Sequence, residues 1–227
     1  MTATLMVKER IEDGVDAGTR RLFFAYSANM DKRRMQARCP SVLFLGPARL
    51  PGHRLDFTRY SPRWNGGVAD VIVDPAHSVW GLLYSIEDAD LAALDTLEQY
   101  PDGYTRKKVT VWLEVPEASP PAPTVVPNVP PGGDVFSLQP DPPVGGNFVP
   151  VDSAWVYQVA HKRPYVPAAD DYLRELLLAA VWFRFPKSYR DHLMSFVGRT
   201  VESDSFHSQL RELTRDLWDT DPPAADR

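Results

Sequence analysis

Glu98 is the residue whose position in the sequence best suits acid–base chemistry. On a helix, Leu91, Leu94 and position 98 lie three and four residues apart and therefore share one face. The carboxylate thus continues an apolar stripe at the point where Pro101-Asp102-Gly103 ends the helix. Partial burial there would disfavour the charged form and raise the pKa of the carboxyl, as a general acid–base near neutral pH requires. The alternative for this residue is a glutamate at a frayed helix end, with its charge in water.

The segment that joins the first apolar run to the first helix is a second candidate. Residues 22–26 predict a short buried strand, and a helix is predicted from about Met30 to residue 38 with Asn29 as its N-cap. Ser27 and Ala28 lie between them, and small residues at such a turn let backbone N–H groups hold a carboxylate or a developing oxyanion. An ordinary capped connection is the alternative. No G-x-S-x-G sequence surrounds Ser27, so it is not predicted to be a covalent nucleophile.

The histidines and the cysteine do not have the spacing of metal ligands. The five histidines show no H-x-x-x-H pattern, and Cys39 is the single cysteine. The turn at Gly66-Gly67 has neither a lysine nor a following helix, unlike a phosphate-binding loop. We therefore predict no metal, no cofactor and no disulfide within the chain.

Composition and charge argue against several function classes. The net charge is −5, and the run Lys32-Arg33-Arg34 is interpreted as a solvated helix face rather than a nucleic-acid footprint. No apolar stretch approaches the ~20 residues that a membrane helix needs. Residues 1–20 have no apolar central segment, so they are not predicted to be a secretory signal. These features predict a cytoplasmic protein without a nucleic-acid or membrane partner.

Short strand-like segments dominate the chain after the candidate turn. Their close spacing, with Pro, Gly and Asn turn signals between them, favours a curled or closed sheet over a doubly wound one. Strands are predicted at residues 43–49, 54–58, 68–73, 79–85, 107–115 and 154–159. Helices are predicted from Ser85, with Asp88 as its capping partner, through Glu98, and at residues 169–183, 187–197 and 205–218.

The predicted organisation is a single domain over residues 21–219, between a mobile leader at 1–20 and a frayed tail at 220–227. About half of the 22 prolines fall in residues 116–150, which show almost no sustained hydrophobic periodicity. We predict that this insertion is a long loop between two strands of the same sheet. Its PxxP spacings leave a second interpretation open, a ligand for aromatic-lined grooves.

Six short motifs, taken in order, resemble the γ-glutamylcyclotransferase-like (AIG2-like) family over about residues 22–196. The family's strand followed by Tyr-Gly-Ser-Asn resembles Phe24-Ala25-Tyr26-Ser27-Ala28-Asn29-Met30. Further matches are Ala48-Arg49-Leu50, Gly66-Gly67-Val68-Ala69, Val79-Trp80-Gly81-Leu82-Leu83-Tyr84, Leu94-Asp95-Thr96-Leu97-Glu98 with Tyr104, and Tyr172 with Phe185-Pro186-Lys187-Ser188-Tyr189. Two features depart from the family pattern. Ser27-Ala28 replaces Gly-Ser, which alters backbone freedom and the following hydroxyl, and the Pro-rich insertion could reshape the mouth of the site.

The resemblance implies an α+β fold, a small mixed β-barrel flanked by helices, with the site in a cavity at one end. It implies an enzyme that cyclises a γ-glutamyl amide to 5-oxoproline and releases a free amine, with Glu98 as the general acid–base. It also implies a substrate-binding set consisting of Tyr26, Ser27, Ala28, Asn29 and Met30, and a pocket lined by Tyr104, Tyr157 and Tyr172.

Two other functions stay open on the sequence. One is a binding or regulatory module of the same fold that holds small anions without turnover. The other is a tailoring enzyme that removes a γ-glutamyl group from a biosynthetic intermediate. The expected partner is a small-molecule γ-glutamyl amide, and homodimer formation is left open.

Because the His and Cys spacing offers no set of metal ligands, we predict that chelators leave both turnover and the melting temperature unchanged. The check is a γ-glutamyl amide turnover assay and a melting curve, each with and without EDTA. Activity that disappears with EDTA and returns with an added divalent metal would contradict this prediction.

Overall fold

A computed structural model of the chain describes residues 20–115, 124–125 and 147–196. The strands in this part are β1 (Arg20–Ala25), β2 (Leu43–Ser61), β3 (Gly66–Glu87), β4 (Tyr104–Val115), β5 (Thr124–Val125) and β6 (Asn147–Val159). The helices are α1 (Lys32–Arg38), α2 (Asp88–Leu97), α3 (Asp170–Trp182) and α4 (Lys187–Met194), and a 3-10 turn spans Ala28–Met30. The predicted leader except Arg20, the predicted helix at 205–218 and the predicted tail lie outside the described residues.

The strands form one mixed sheet in the order β3-β1-β6-β4-β2-β5, and β2 also pairs with β3. β1 and β6 are parallel, whereas the other paired strands are antiparallel. The predicted α+β class with a mixed sheet is confirmed. Among the described residues, the pair Phe23↔Trp155 joins β1 to β6, and two residue pairs join β2 to β4. The sheet curls so that β2, near one end of this order, also pairs with β3 at the other end. Because the β1–β6 and β2–β4 junctions consist of so few residue pairs, the sheet is not a continuously paired barrel.

β2 and β3 are longer than the sequence predicts. Each merges two predicted strands, because β-bulges carry the chain past the turn signals without ending the strand pair. The register shifts between Pro51 and His53, which oppose Ser78 and Val73, and Gly52 between them has φ +70°. The Pro and Gly residues that predicted a break therefore mark an irregularity within a continuous strand pair.

Asp31 is the N-cap of α1, and the prediction that Asn29 caps this helix is wrong. Asp31 Oδ1 accepts from the N–H groups of Arg33 at 2.9 Å and Arg34 at 3.1 Å. The 3-10 turn that precedes the helix moves the cap two residues along the chain. The side chain of Asn29 is thereby released from capping.

α2 begins at Asp88 and not at the predicted Ser85. Ser85 is still part of the sheet, where it pairs with Leu22 of β1 and Leu43 of β2. The predicted capping pair therefore does not form. Asp88 and Asp90 lie in the first turn of the helix instead, where the helix dipole favours negative charge.

Close backbone contact at Gly67 holds the segment before α3 against β3. The N–H of Gly67 donates to Pro167 O at 2.7 Å, and a Cβ at this position would lie 2.2 Å from Val166 O. Only glycine permits this approach. The contact brings the first turn of α3, with the buried Tyr172, against Phe57 of β2. The Gly-Gly sequence therefore determines where Tyr172 lies.

The core consists of buried apolar side chains of the sheet and of α3. Representative buried residues are Phe24, Phe57, Leu82, Val156 and Leu177. Within the described part of the chain, every helix is too short or too polar to cross a membrane.

The Pro-rich segment joins two strands that pair directly. Val115, the last residue of β4, opposes Asn147, the first residue of β6. β6 thus begins before the predicted start of its strand, inside the predicted insertion. Thr124–Val125 pairs with β2, and the rest of residues 116–146 lies outside the described residues.

We predict that replacing residues 116–146 by a short Gly/Ser turn keeps the fold. The strand ends already oppose each other, and loop-closure entropy changes slowly with loop length. The free energy of unfolding should change by no more than about 1–2 kcal/mol, including the loss of the β5 pairing. Melting curves measure this, with a Gly/Ser linker of the original length as the control. Failure to fold, or two separate transitions, would show that the segment does more than connect β4 to β6.

Candidate functional site

A small cavity opens where the end of β1 meets the C-terminal end of α2. Its volume is about 270 Å³, including space open to solvent. Its lining residues are Phe23, Phe24, Ala25, Tyr26, Ser27, Asn29, Glu98, Tyr104 and Tyr157. Elements that are far apart in the sequence thus bring a carboxylate, an amide and several phenols to the same space.

Glu98 is the C-cap of α2, and its N–H donates to Leu94 O at 2.9 Å. Leu91 and Leu94 are buried, so the predicted apolar stripe exists and the half-buried Glu98 continues it. The chain turns back at once, and a Cβ on Gly103 would lie 2.7 Å from Glu98 O. The helix end and this tight turn together fix the direction in which the Glu98 side chain leaves the backbone.

The carboxyl of Glu98 has a pKa above its ordinary value. Burial is the largest cause, because it disfavours the charged form. Three contacts act in the opposite direction: the Arg38 guanidinium, a hydrogen bond from Asn29 Nδ2 to Glu98 Oε1 at 3.2 Å, and the Arg59 guanidinium. Burial outweighs them, so the carboxyl exchanges its proton nearer to neutral pH than an exposed glutamate does.

Tyr26 and Tyr157 form one wall of the cavity and are joined by a hydrogen bond. The Tyr26 hydroxyl donates to Tyr157 O at 2.8 Å, and the Tyr157 hydroxyl donates to Asp95 Oδ1 at 2.7 Å. Asp95 also forms an ion pair with Arg106 at 3.0 Å. Burial raises the pKa of both phenols, so they stay protonated at neutral pH and the wall carries no charge of its own.

Tyr104 and Tyr172 contact β3 at the same residue, Ala69. The Tyr104 hydroxyl donates to Ala69 O at 3.3 Å, and Ala69 N donates to the Tyr172 hydroxyl oxygen at 3.1 Å. Burial raises the pKa of both phenols. The Tyr172 oxygen also accepts a hydrogen bond from the Ser27 side chain, which lowers that pKa in part. Tyr172 therefore supports the turn after β1.

The structure brings Glu98 together with Tyr26, Ser27, Asn29, Tyr104 and Tyr157, as the lining of one cavity. Ala28 and Met30 line a neighbouring groove between the turn and α3, and Tyr172 lies behind Ser27. Ser27 has φ −134°, which L-residues adopt without left-handed strain. The serine at the family's glycine position is thus compatible with the turn.

Three residues outside the predicted set of site residues take part in this site. Arg38 comes from the last turn of α1 and Arg59 from β2, and both lower the pKa of Glu98. No local sequence pattern marks these two arginines, because the tertiary fold brings each of them near the carboxyl. Asp95 holds the Tyr157 hydroxyl, and its position three residues before Glu98 on α2 could have identified it.

The site is built from proton-transfer and hydrogen-bonding groups. Within residues 20–115 and 147–196, no cluster of three or more His, Cys, Asp or Glu side chains could hold a metal ion. The groups that converge are one carboxyl of raised pKa, one amide and neutral phenols. Such an arrangement suits acid–base chemistry on a small polar ligand.

A family model described as "Gamma-glutamyl cyclotransferase, AIG2-like" matches residues 23–129. The matched region contains β1 from Phe23 onward, the turn after it, α1 and Glu98. This part of the chain, just under half of its length, is similar to that family.

Curated relatives agree with the family match. A gamma-glutamylcyclotransferase from Bos taurus is 36% identical over 95 residues, which are 40% of this chain and 50% of the relative. A gamma-glutamylcyclotransferase from Homo sapiens is 35% identical over 86 residues, which are 36% of this chain and 46% of the relative. The chain therefore matches about half the length of these relatives.

Solved structures share the fold over more of the chain. A structure named "Gamma-glutamyl cyclotransferase" has a TM-score of 0.56 at 19% identity and covers 85% of this chain and 99% of its own. The crystal structure of an uncharacterized protein from Homo sapiens has a TM-score of 0.57 at 21% identity, with coverage of 85% and 99%. Identities this low show a common fold and leave the substrate to other arguments.

The raised pKa of Glu98 predicts a pH-dependent difference in stability. Folding favours the protonated carboxyl, so the parent loses stability as the pH rises from the unfolded pKa, near 4.5, through the higher folded-state pKa. Glu98→Gln removes this ionisation. The variant should therefore melt above the parent at about pH 8 and close to it at about pH 4. Melting curves across this range are the measurement, and a difference independent of pH would contradict the titration of a buried carboxyl.

Proposed function

We propose that this chain is an enzyme that cyclises a γ-glutamyl amide to 5-oxoproline and releases the free amine, with Glu98 as the general acid–base. The observation that carries the proposal is the half-buried Glu98 carboxyl of raised pKa, which shares a small cavity with the turn after β1. The names of the relatives from Bos taurus and Homo sapiens support the same reaction class.

A substrate of this class supplies its own nucleophile. The α-amine of a γ-glutamyl group can reach the γ-carbonyl carbon and close a five-membered ring. Well-oriented intramolecular reactions reach effective molarities of about 10⁵–10⁸ M, so orientation alone contributes much of the rate. The reaction therefore needs no covalent enzyme nucleophile, which agrees with the absence of an activated-serine sequence around Ser27.

Glu98 accounts for the proton transfers. The α-ammonium gives a proton to the carboxylate, and its nitrogen then forms a bond to the γ-carbon. The protonated Glu98 gives the proton to the amide nitrogen as the original carbon–nitrogen bond breaks. The ring nitrogen still carries one proton too many, which Glu98, again a carboxylate, takes up and passes to the departing amine. Two protons have then moved from the attacking to the leaving nitrogen, the amine departs as an ammonium ion, and Glu98 returns to its starting state. A pKa raised by burial suits both steps, because it makes the carboxylate a stronger base than an exposed glutamate while leaving it able to return the proton.

The turn after β1 supplies candidate donors for the oxyanion. The N–H of Met30 donates to Ser27 O at 2.8 Å within the turn. Of the residues before Met30 in this turn, Ser27 and Asn29 line the cavity with Glu98, so we assign the oxyanion to their N–H groups. Backbone donors aimed at a developing oxyanion stabilise the transition state without reorganising.

The walls of the cavity limit competing chemistry. Phe23 and Phe24 are apolar, and Tyr26 and Tyr157 are held protonated by burial. Among these lining groups, Glu98 is the carboxyl, and burial raises its pKa. The chemistry of this site suits the γ-glutamyl end of a substrate, with the leaving amine directed outward.

Replacing Glu98 by Gln tests this proposal. The change keeps size and an acceptor for Asn29, but it removes the transferable proton. Turnover should fall on the order of 10²-fold or more, with 5-oxoproline binding largely kept. The measurement is 5-oxoproline release from a panel of γ-glutamyl amides. Glu87→Gln is the matched control at the opposite end of α2, where the side chain is 52% exposed, and it should keep the parent activity.

The panel also separates the competing functions. A well-folded Glu98→Gln protein with near-normal turnover defeats the mechanism. A parent that binds 5-oxoproline but releases no product from any amide favours a small-anion-binding module of the same fold. Release confined to larger biosynthetic amides favours a tailoring enzyme.

A further inference from the structure

A chain of hydrogen bonds connects α1 to the Glu98 carboxyl. Arg38, the last residue of α1, donates from Nη1 to Asn29 Oδ1. Asn29 in turn donates from Nδ2 to Glu98 Oε1 at 3.2 Å. Asn29 is 4% exposed, so this amide has little access to water as an alternative partner.

The chemistry of the guanidinium fixes the direction of this chain. A guanidinium can donate hydrogen bonds but cannot accept them, so the amide oxygen of Asn29 must face Arg38. The NH₂ group of the amide must then face Glu98. The reversed amide would place NH₂ against the guanidinium and oxygen against the carboxylate, and two buried contacts would lose their partners.

We infer that Arg38 is a positioning residue for the acid–base: it orients the Asn29 amide so that Nδ2 holds Glu98 Oε1 and the other carboxyl oxygen, Oε2, carries the transferred proton. The inference deepens the proposed function and, for its effect on turnover, rests on it. Oε1 accepts from Nδ2 in both protonation states of Glu98. The transferred proton therefore resides on Oε2, and Glu98 exchanges it with the substrate at that oxygen.

The interposed amide also sets how strongly the cation acts on the acid. A carboxylate in direct contact with an arginine is strongly held in its ionised form. Here the Arg38 charge reaches Glu98 across the width of an amide, so its effect is weaker than that of burial. Arg38 thus orients the carboxyl while leaving it able to take up a proton.

The charged and titratable groups that face Glu98 come from several elements. Arg59 of β2 faces it as a second cation and donates to Gln99 Oε1 at 2.6 Å. The phenols that interact with it are Tyr26, Tyr104, Tyr157 and Tyr172. Arg34, Arg63 and Cys39 act on Arg38 itself. The phenols remain neutral through the range in which Glu98 titrates. A shift of the Glu98 titration midpoint on substitution of Arg38 is therefore not caused by a phenol that changes its charge.

Arg38→Met tests the inference through two measurements. The first is the pH profile of kcat and kcat/KM for a γ-glutamyl amide, where kcat should fall about 10- to 100-fold because the carboxyl is misplaced. The second is a ¹³C NMR titration of the Glu98 side chain, whose midpoint should move to higher pH when the cation is removed. Arg38→Lys keeps a charged donor and should restore most of both values.

Two controls separate positioning from a general effect of charge. Arg33→Met removes the same charge from the same helix and should leave the kcat and the Glu98 midpoint at the parent values. Asn29→Ala, alone and combined with Arg38→Met, tests the route through the amide. If Arg38 acts through Asn29, the double variant loses no more kcat than the Asn29 variant.

The results distinguish this inference from the proposed function. An unchanged Glu98 midpoint in Arg38→Met, or an equal shift in Arg33→Met, overturns the inference even if the parent releases 5-oxoproline. Additive losses in the double variant also overturn it. A parent without turnover, in which Arg38→Met still raises the Glu98 midpoint and Arg38→Lys restores it, supports the inference while the proposed reaction fails.

Discussion

The burial of β1 between two neighbouring strands is the constraint on which the site depends. β1 pairs antiparallel with β3 on one edge and parallel with β6 on the other. Its side chains from Leu22 onward are buried on both faces of the sheet, so a shift of register by one residue would exchange the side chains that pack on the two faces. The turn that follows Ala25 therefore leaves the sheet at one fixed place. That place lies beside Tyr157 of β6 and beside the end of α2, where the Glu98 carboxyl accepts a hydrogen bond from the Asn29 amide.

The chemistry at Glu98 results from a balance between burial and nearby cations. Both cations donate to amide side chains rather than to the carboxylate in the hydrogen bonds described for them: Arg38 to Asn29, and Arg59 to Gln99. Their positive charges therefore lower the pKa of Glu98 without a direct ion pair, which would hold the carboxylate in its ionised form. Elsewhere in the fold the same residue types behave differently, since Arg34 meets Glu175 directly at 2.6 Å in an ordinary ion pair. The contrast shows that the Asn29 amide takes the place of a direct ion pair between Arg38 and Glu98.

Sequence patterns predicted the parts of this site that depend on local order. The spacing of Leu91 and Leu94 predicted the half-buried position of Glu98, and the close strand spacing predicted a curled or closed sheet. The cap of α1 was missed because a 3-10 turn moves it to Asp31, and propensity does not distinguish two acceptable capping residues so close together. Arg38 was missed for a different reason. Its importance comes from meeting Asn29 and Glu98 in space, and that meeting depends on how α1 and α2 pack against β1.

The hydrogen bond between the Tyr26 hydroxyl and Tyr157 O has a consequence for folding kinetics. It joins residues 131 positions apart, and β1 and β6 are the first and last strands of the described chain. Contacts between such distant segments require closure of a long loop, and folds dominated by them form slowly. We therefore expect the cavity wall to form late, after β2 and β3, which are neighbours in the sequence, have paired with each other. Recovery of ligand binding during refolding would consequently report the completion of the sheet, whereas early spectroscopic signals would report the β2–β3 pair.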